Sequence, residues 1–146
     1  MGHRLTSDKV KAYTFAGDAI ITLQSGVTSK HYTFRITKCK DNEELYFVKV
    51  LYGTDNESDY RYIGCYFTDS RVFSPCKDYK DLASFAWPKY MRTIAYFFDV
   101  IDNIPDKLLV YHEGRCGKCG RKLTTPESIE RGLGPECYKE AANGNR

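Results

Sequence analysis

The chain predicts an α+β fold: an antiparallel β-sheet meander packed by one main helix, followed by a small C-terminal zinc-knuckle module. Three observations carry this. Four early segments are rich in aromatic and β-branched residues and are separated by Gly, Ser, Asn and Asp turns. One later stretch sets apolar residues at helical spacing. Near the end, Cys116 and Cys119 stand two residues apart, with Cys137 further on, in the manner of metal ligands.

The strands are expected over residues 19–24, 31–37, 44–52 and 59–67, joined as antiparallel hairpins because the intervening turns are short. In the second of them Tyr32, Phe34 and Ile36 alternate with Thr33, Arg35 and Thr37, which predicts one covered and one wet face. The helix is expected over residues 88–103, where Met91, Ile94, Phe98 and Ile101 form a stripe that packs on the sheet. An apolar run at 108–111 leads into the knuckle. Beyond it, residues 123–132 read as a short capped helix or turn, with Thr124 or Thr125 as cap, Pro126 and Glu127 in the first turn and Gly132 as the stop. Pro135 suits the first position of a last helix, and the residues from 141 onward are expected to fray. This divides the chain into a sheet-plus-helix domain, 1–107, and a knuckle module, 108–146.

A C-x2-C turn aims two sulfurs at one centre, and Gly117 and Gly120 are expected to relieve it by adopting positive φ. Cys137, in the first turn of the last helix, would sit where free N–H groups and the helix dipole favour a thiolate. Three thiolates leave one tetrahedral position. His112, separated from Cys116 by three residues, is the preferred fourth ligand, with His31 and Cys76 as more distant candidates. A shell of His112, Cys116, Cys119 and Cys137 would be closed, so the Zn2+ would be structural. Leu123, Ile129 and Leu133 give the tail too little apolar content to fold alone, and a metal would offset its chain entropy. A disulfide framework fits poorly, since Cys39, Cys65 and Cys76 are dispersed and no secretory leader is read at the start. A redox pair fits poorly too, for want of a βαβ pattern, though redox or plain buried thiols remain the competing readings.

At 146 residues the chain is one domain, or one with a small appendage. No apolar run approaches membrane-spanning length, and the expected location is the cytoplasm of a bacterial host cell. The formal charge of +3 is mild, but Arg115, Lys118, Arg121 and Lys122 crowd the knuckle and make it the expected partner-binding face. The loop at 53–60 holds Asp55, Glu57 and Asp59, which reads first as an ordinary turn and second as a cation or partner site. Tyr46, Tyr52, Tyr60, Tyr62 and Tyr66, among 12 tyrosines, belong to sheet packing or, exposed together, to a binding face. No nucleophile elbow, phosphate loop or paired-histidine motif is present, so no enzymatic activity is expected.

Tyr111 to Thr124, with Pro126 to Ile129 and Gly132 to Cys137, resembles the C-terminal motif of a family of phage and prophage proteins of unknown function. The upstream segments 53–60 and 62–64 are also similar to longer members. The resemblance implies an origin in a mobile element, and zinc on the positions of His112, Cys116, Cys119 and Cys137 in an arrangement like a reduced treble clef. It implies no activity. Two functions are therefore expected: an accessory factor that binds nucleic acid through the basic zinc knuckle, or an inhibitor of a host defence protein, of anti-CRISPR or anti-restriction type, acting by protein–protein contact.

Overall fold

The computed structural model describes residues 2–52, 59–76, 87–119, 122–123 and 132. Within them the chain runs β1 (His3–Arg4), α1 (Ser7–Thr14), β2 (Asp18–Ser25), β3 (His31–Lys38), β4 (Leu45–Leu51), β5 (Tyr60–Phe67), β6 (Val72–Pro75), α2 (Trp87–Val100) and β7 (Leu108–His112). The strands form one seven-stranded antiparallel sheet in the order β1-β7-β2-β3-β4-β5-β6. Strands β2 to β5 are the expected meander, and β6 continues it. The last strand leaves that order and pairs with β2, with Leu23 opposite Val110 and Ile21 opposite His112.

Alternation decides which side chains are covered. Ala19, Ile21, Phe34, Ile36, Val48 and Val50 point to one face and are 0% exposed. Both helices lie on that face. From α2, Ile94, Phe97 and Phe98 enter the same cluster with Ile101 just past its end, joined by Val10 and Tyr13 from α1. Phe98 is the centre of an aromatic stack, 3.9 Å and 8° from the Tyr66 ring and 6.0 Å from Phe73. Burying such rings contributes on the order of 2–3 kcal/mol each. The opposite face carries Ile20, Thr22, Thr33, Arg35, Phe47, Lys49 and Tyr62, as the wet alternation of β3 predicts.

A β-bulge at Ile63, where Val48 pairs with Gly64 but Lys49 with Tyr62, places Tyr60 and Tyr62 on the outer face and leaves Tyr66 in the core. Gly64 next to it has no room for a side chain, since a Cβ would lie 2.4 Å from the Ser74 carbonyl oxygen on β6.

The α+β antiparallel class expected from the sequence holds, with two differences. A second helix, α1, accompanies α2. It has a weak apolar stripe, with only Val10, Tyr13 and Thr14 buried, so helical periodicity does not mark it. The strands β1, β6 and β7 extend the sheet beyond the four expected; β1 and β6 are only two and four residues long. The boundary expected between 107 and 108 falls just before β7, so the residues on its C-terminal side supply a strand to the sheet. No helix among the described residues is long and apolar enough to cross a membrane.

Asp102, just past α2, ties three elements together. The Lys11 ammonium of α1 donates to its Oδ1 at 2.6 Å, and the guanidinium of Arg71, in the β5–β6 turn, pairs with its Oδ2. Lys11 first, then Arg71, hold the Asp102 carboxyl below the ordinary carboxylate range. A folded pKa below the unfolded one means that the stabilisation is present above the unfolded pKa and lost as pH falls through the folded value. Asp102→Asn is therefore expected to lower Tm at neutral pH and low salt. The difference from wild type should shrink with added salt and close as the pH drops below the carboxylate range, followed by circular dichroism melts.

Candidate metal centre and basic knuckle

The knuckle is built on residues 13–18. At the end of β7, His112 is 0% exposed on the core face, its ring centroid 5.3 Å from those of both His3 and Tyr13. Gly114, at φ 79°, turns the chain out of the sheet. The backbone then doubles back: Leu123 N–H donates to the Gly114 carbonyl at 2.8 Å, and Arg115 bridges Lys122. At the tip, Asp18 N–H donates to the Gly117 carbonyl at 2.6 Å, while Gly117 N–H donates to that of Gly132 at 2.8 Å. The knuckle is thus continuous with the first residue of β2.

Tyr13 is the platform. Its hydroxyl lies 3.3 Å from the carbonyl oxygens of both Ile20 and Arg115 and donates toward them. Burial pushes its pKa well above the ordinary phenol value, so the O–H stays intact as a donor. A Cβ on Gly117 would lie 2.7 Å from the Tyr13 ring, and one on Gly132 2.4 Å. Gly132 has φ 75°, in the left-handed region; the helix or turn it is expected to end lies, apart from Leu123, outside the described residues. Gly117 differs from expectation: its φ lies outside the positive region, and glycine is required there by the closeness of the ring. Gly120 lies outside the described residues. Behind the turn, Cys116 and Leu123 pack together with Ala16.

Cys116 is buried, and its Sγ accepts the Lys118 N–H at 3.4 Å. A metal-bound sulfur can accept a backbone N–H in the same way. Cys119 is exposed on the same turn, and none of the described cysteines is in a disulfide. His112 is engaged differently. Its Nδ1 accepts the Gly114 N–H at 3.0 Å, which places the ring proton on Nε2. A metal on this imidazole would take either Nδ1, in place of the Gly114 N–H, or Nε2 with the ring proton moved to Nδ1, and either costs the Gly114 bond. Among the described residues no three His, Cys, Asp or Glu side chains gather as a metal cluster. Cys137 lies outside those residues, as do Arg121, most of the expected helix at 123–132 and the helix expected from Pro135.

The two distant ligand candidates are separated from the knuckle by topology. His31 starts β3 on the outer face, opposite Gln24, whereas His112 faces the core. Cys76 follows β6, five strands from β7, or roughly 24 Å across the sheet. Of the basic residues, Arg115, Lys118 and Lys122 are exposed on the knuckle. The loop at 53–58 is outside the described residues, and its base is closed by Tyr52 N–H donating to the Asp59 carbonyl at 3.0 Å. The tyrosines divide: Tyr46 and Tyr66 are core, while Tyr52 and Tyr62 are exposed.

The platform itself, residues 13–18, is absent from the sequence reading. Its signal is the small pair Ala16 and Gly17 just before β2, which allows the tail to approach, as the 3.3 Å gap between a Gly17 Cβ and the Lys118 carbonyl oxygen shows. Gly117→Ala is expected to destabilise the protein by about 1–3 kcal/mol through overpacking on Tyr13. The same substitution in a Tyr13→Leu background should cost measurably less, as read from urea unfolding of the double-mutant cycle.

No curated protein and no solved structure shows significant similarity to the chain. Residues 109–141, from within β7 through the knuckle, are similar to a family of unknown function (DUF6011).

Proposed function

We propose that this chain is a non-enzymatic nucleic-acid-binding protein that contacts phosphates through its basic knuckle, with a structural zinc ion holding the turn. The observation that carries the reading is the anchoring of the turn. Gly117 is tied to Asp18 and seated on Tyr13, while Arg115, Lys118 and Lys122 are exposed around it. Charges on a fixed turn lose less freedom on meeting a polyanion than the same charges on a loose tail. Zinc would be held by Cys116, Cys119 and Cys137, with His112 completing the shell once its Gly114 bond is exchanged. The Lys118 N–H on Cys116 Sγ supports this. In this reading the chain serves a phage or other mobile element, as the tail motif implies.

A second reading, inhibition of a host defence protein by direct contact, is favoured by the outer face of the sheet. There Tyr62 is 41% exposed beside Phe47, with ring centroids 6.3 Å apart. Aromatic side chains of this kind suit a protein interface.

Two outcomes are expected. Purified protein should carry one zinc per chain by metal analysis, and Cys137→Ala should lose it; stoichiometric zinc in that variant would remove Cys137 from the shell. Lys118→Glu combined with Lys122→Glu should keep the zinc yet abolish a salt-sensitive gel shift, with the slope of log K against log salt falling by about 1 per lost phosphate contact. If wild type shifts neither single-stranded nor duplex DNA or RNA at low salt, the protein-inhibitor reading takes its place.

A further inference from the structure

At the other end of β2 from the knuckle, a cleft of about 500 Å³ opens between the β2–β3 turn, the middle of α2 and the start of β7. It is separate from the knuckle. Asp18 meets the knuckle at one end of β2 and Ser25 lines the cleft at the other, roughly 23 Å away along the strand. The floor includes Leu108 and Tyr32, Tyr96 stands at the mouth, and Lys30, Arg92 and Lys107 come in from three different elements. No carboxylate is among the described residues that line it.

Three cations around one concavity repel one another and raise its potential, an arrangement whose cost an anionic ligand removes. The rim is already ordered. Ser25 Oγ accepts the N–H groups of Val27 and Thr28, each at 3.1 Å, and Gly26 N–H donates to the Lys107 carbonyl at 2.7 Å, fixing the turn to the residue before β7. Tyr32 is held edge-on against Tyr90 on α2, with ring centroids 5.2 Å apart. The volume suits a small organic molecule better than a bare ion. Two tyrosines with an aliphatic floor suit a planar ring.

We infer that this cleft binds a nucleoside phosphate, with the phosphate among Lys30, Arg92 and Lys107 and the base against Tyr32 and Tyr96. The Arg92 guanidinium offers a two-pronged contact to phosphate oxygens, and the two ammonium groups add charge without fixed geometry. This inference stands independently of the knuckle's role, since none of these residues belongs to the knuckle.

The test is titration calorimetry with 5′-AMP, adenosine and inorganic phosphate. Saturable binding of 5′-AMP is expected, tighter than that of either fragment. Arg92→Glu combined with Lys107→Glu, both exposed positions, should weaken it by about tenfold or more with an unchanged thermal melt. Tyr96→Ala, also at an exposed position, should weaken 5′-AMP and leave phosphate unaffected. The Lys118→Glu, Lys122→Glu variant should bind 5′-AMP as wild type does, which separates this site from the knuckle. A 5′-phosphorylated oligonucleotide that competes with 5′-AMP assigns the site to a strand end, and one that does not assigns it to the free nucleotide. Failure of 5′-AMP to saturate, equal affinity for phosphate alone, or indifference to the charge reversal would each overturn the inference.

Discussion

The pairing of β7 with β2 is the constraint on which the rest of the structure depends. After β6 the chain stands at one edge of the sheet, and α2 then lies across the covered face, with Phe98 over Tyr66 and Phe73 and Tyr90 against Tyr32. That crossing delivers β7 to the far side, where it inserts between β1 and β2. The register then sets the position of every later residue. With Ile21 opposite His112, the imidazole falls on the core face beneath Tyr13, and Glu113 on the outer face meets Thr22, whose Oγ1 donates to its Oε2 at 3.3 Å. A slip of one residue would exchange these two side chains, placing a carboxylate in the core.

What the sequence makes legible follows from periodicity. Strands β2 to β5 announce themselves because one face is covered and the other wet, and α2 because its stripe is broad. The elements missed are those for which tertiary contact replaces local pattern. Helix α1 holds few apolar residues and is stabilised by what it touches: Tyr13 under the knuckle, and Lys11 on Asp102. The run at 108–111 carries its strand pattern in too few residues to show whether it joins the sheet or leads out of it. Only the pairing with β2, residues apart by most of the chain, decides.

The site divides along the same line. The turn of Cys116 and Cys119 was legible because cysteine spacing has a direct geometric meaning. The reason for Gly117 was not. Its role comes from the Tyr13 ring, about a hundred positions earlier, and no local rule expresses a distance across the fold. The cleft lined by Lys30, Arg92 and Lys107 is illegible for the same reason, since its charges come from three elements that sequence order keeps apart.

This arrangement changes how a metal in the tail would act. A knuckle on a flexible tether would exchange metal without consequence for the sheet. Here the chain leaves the sheet at His112, forms the turn, and accepts a hydrogen bond from Asp18 at the start of β2, so β7, the turn and residues 13–18 form one closed circuit. Any ion that orders the turn lowers the free energy of the same state in which β7 is paired, and anything that frees β7 removes the platform from the turn. Binding of a metal there would therefore be linked to the pairing of β7 through Tyr13 and Gly117. Backbone order in the knuckle is inherited from the core, and an ion there would act on a turn whose position the sheet has already determined.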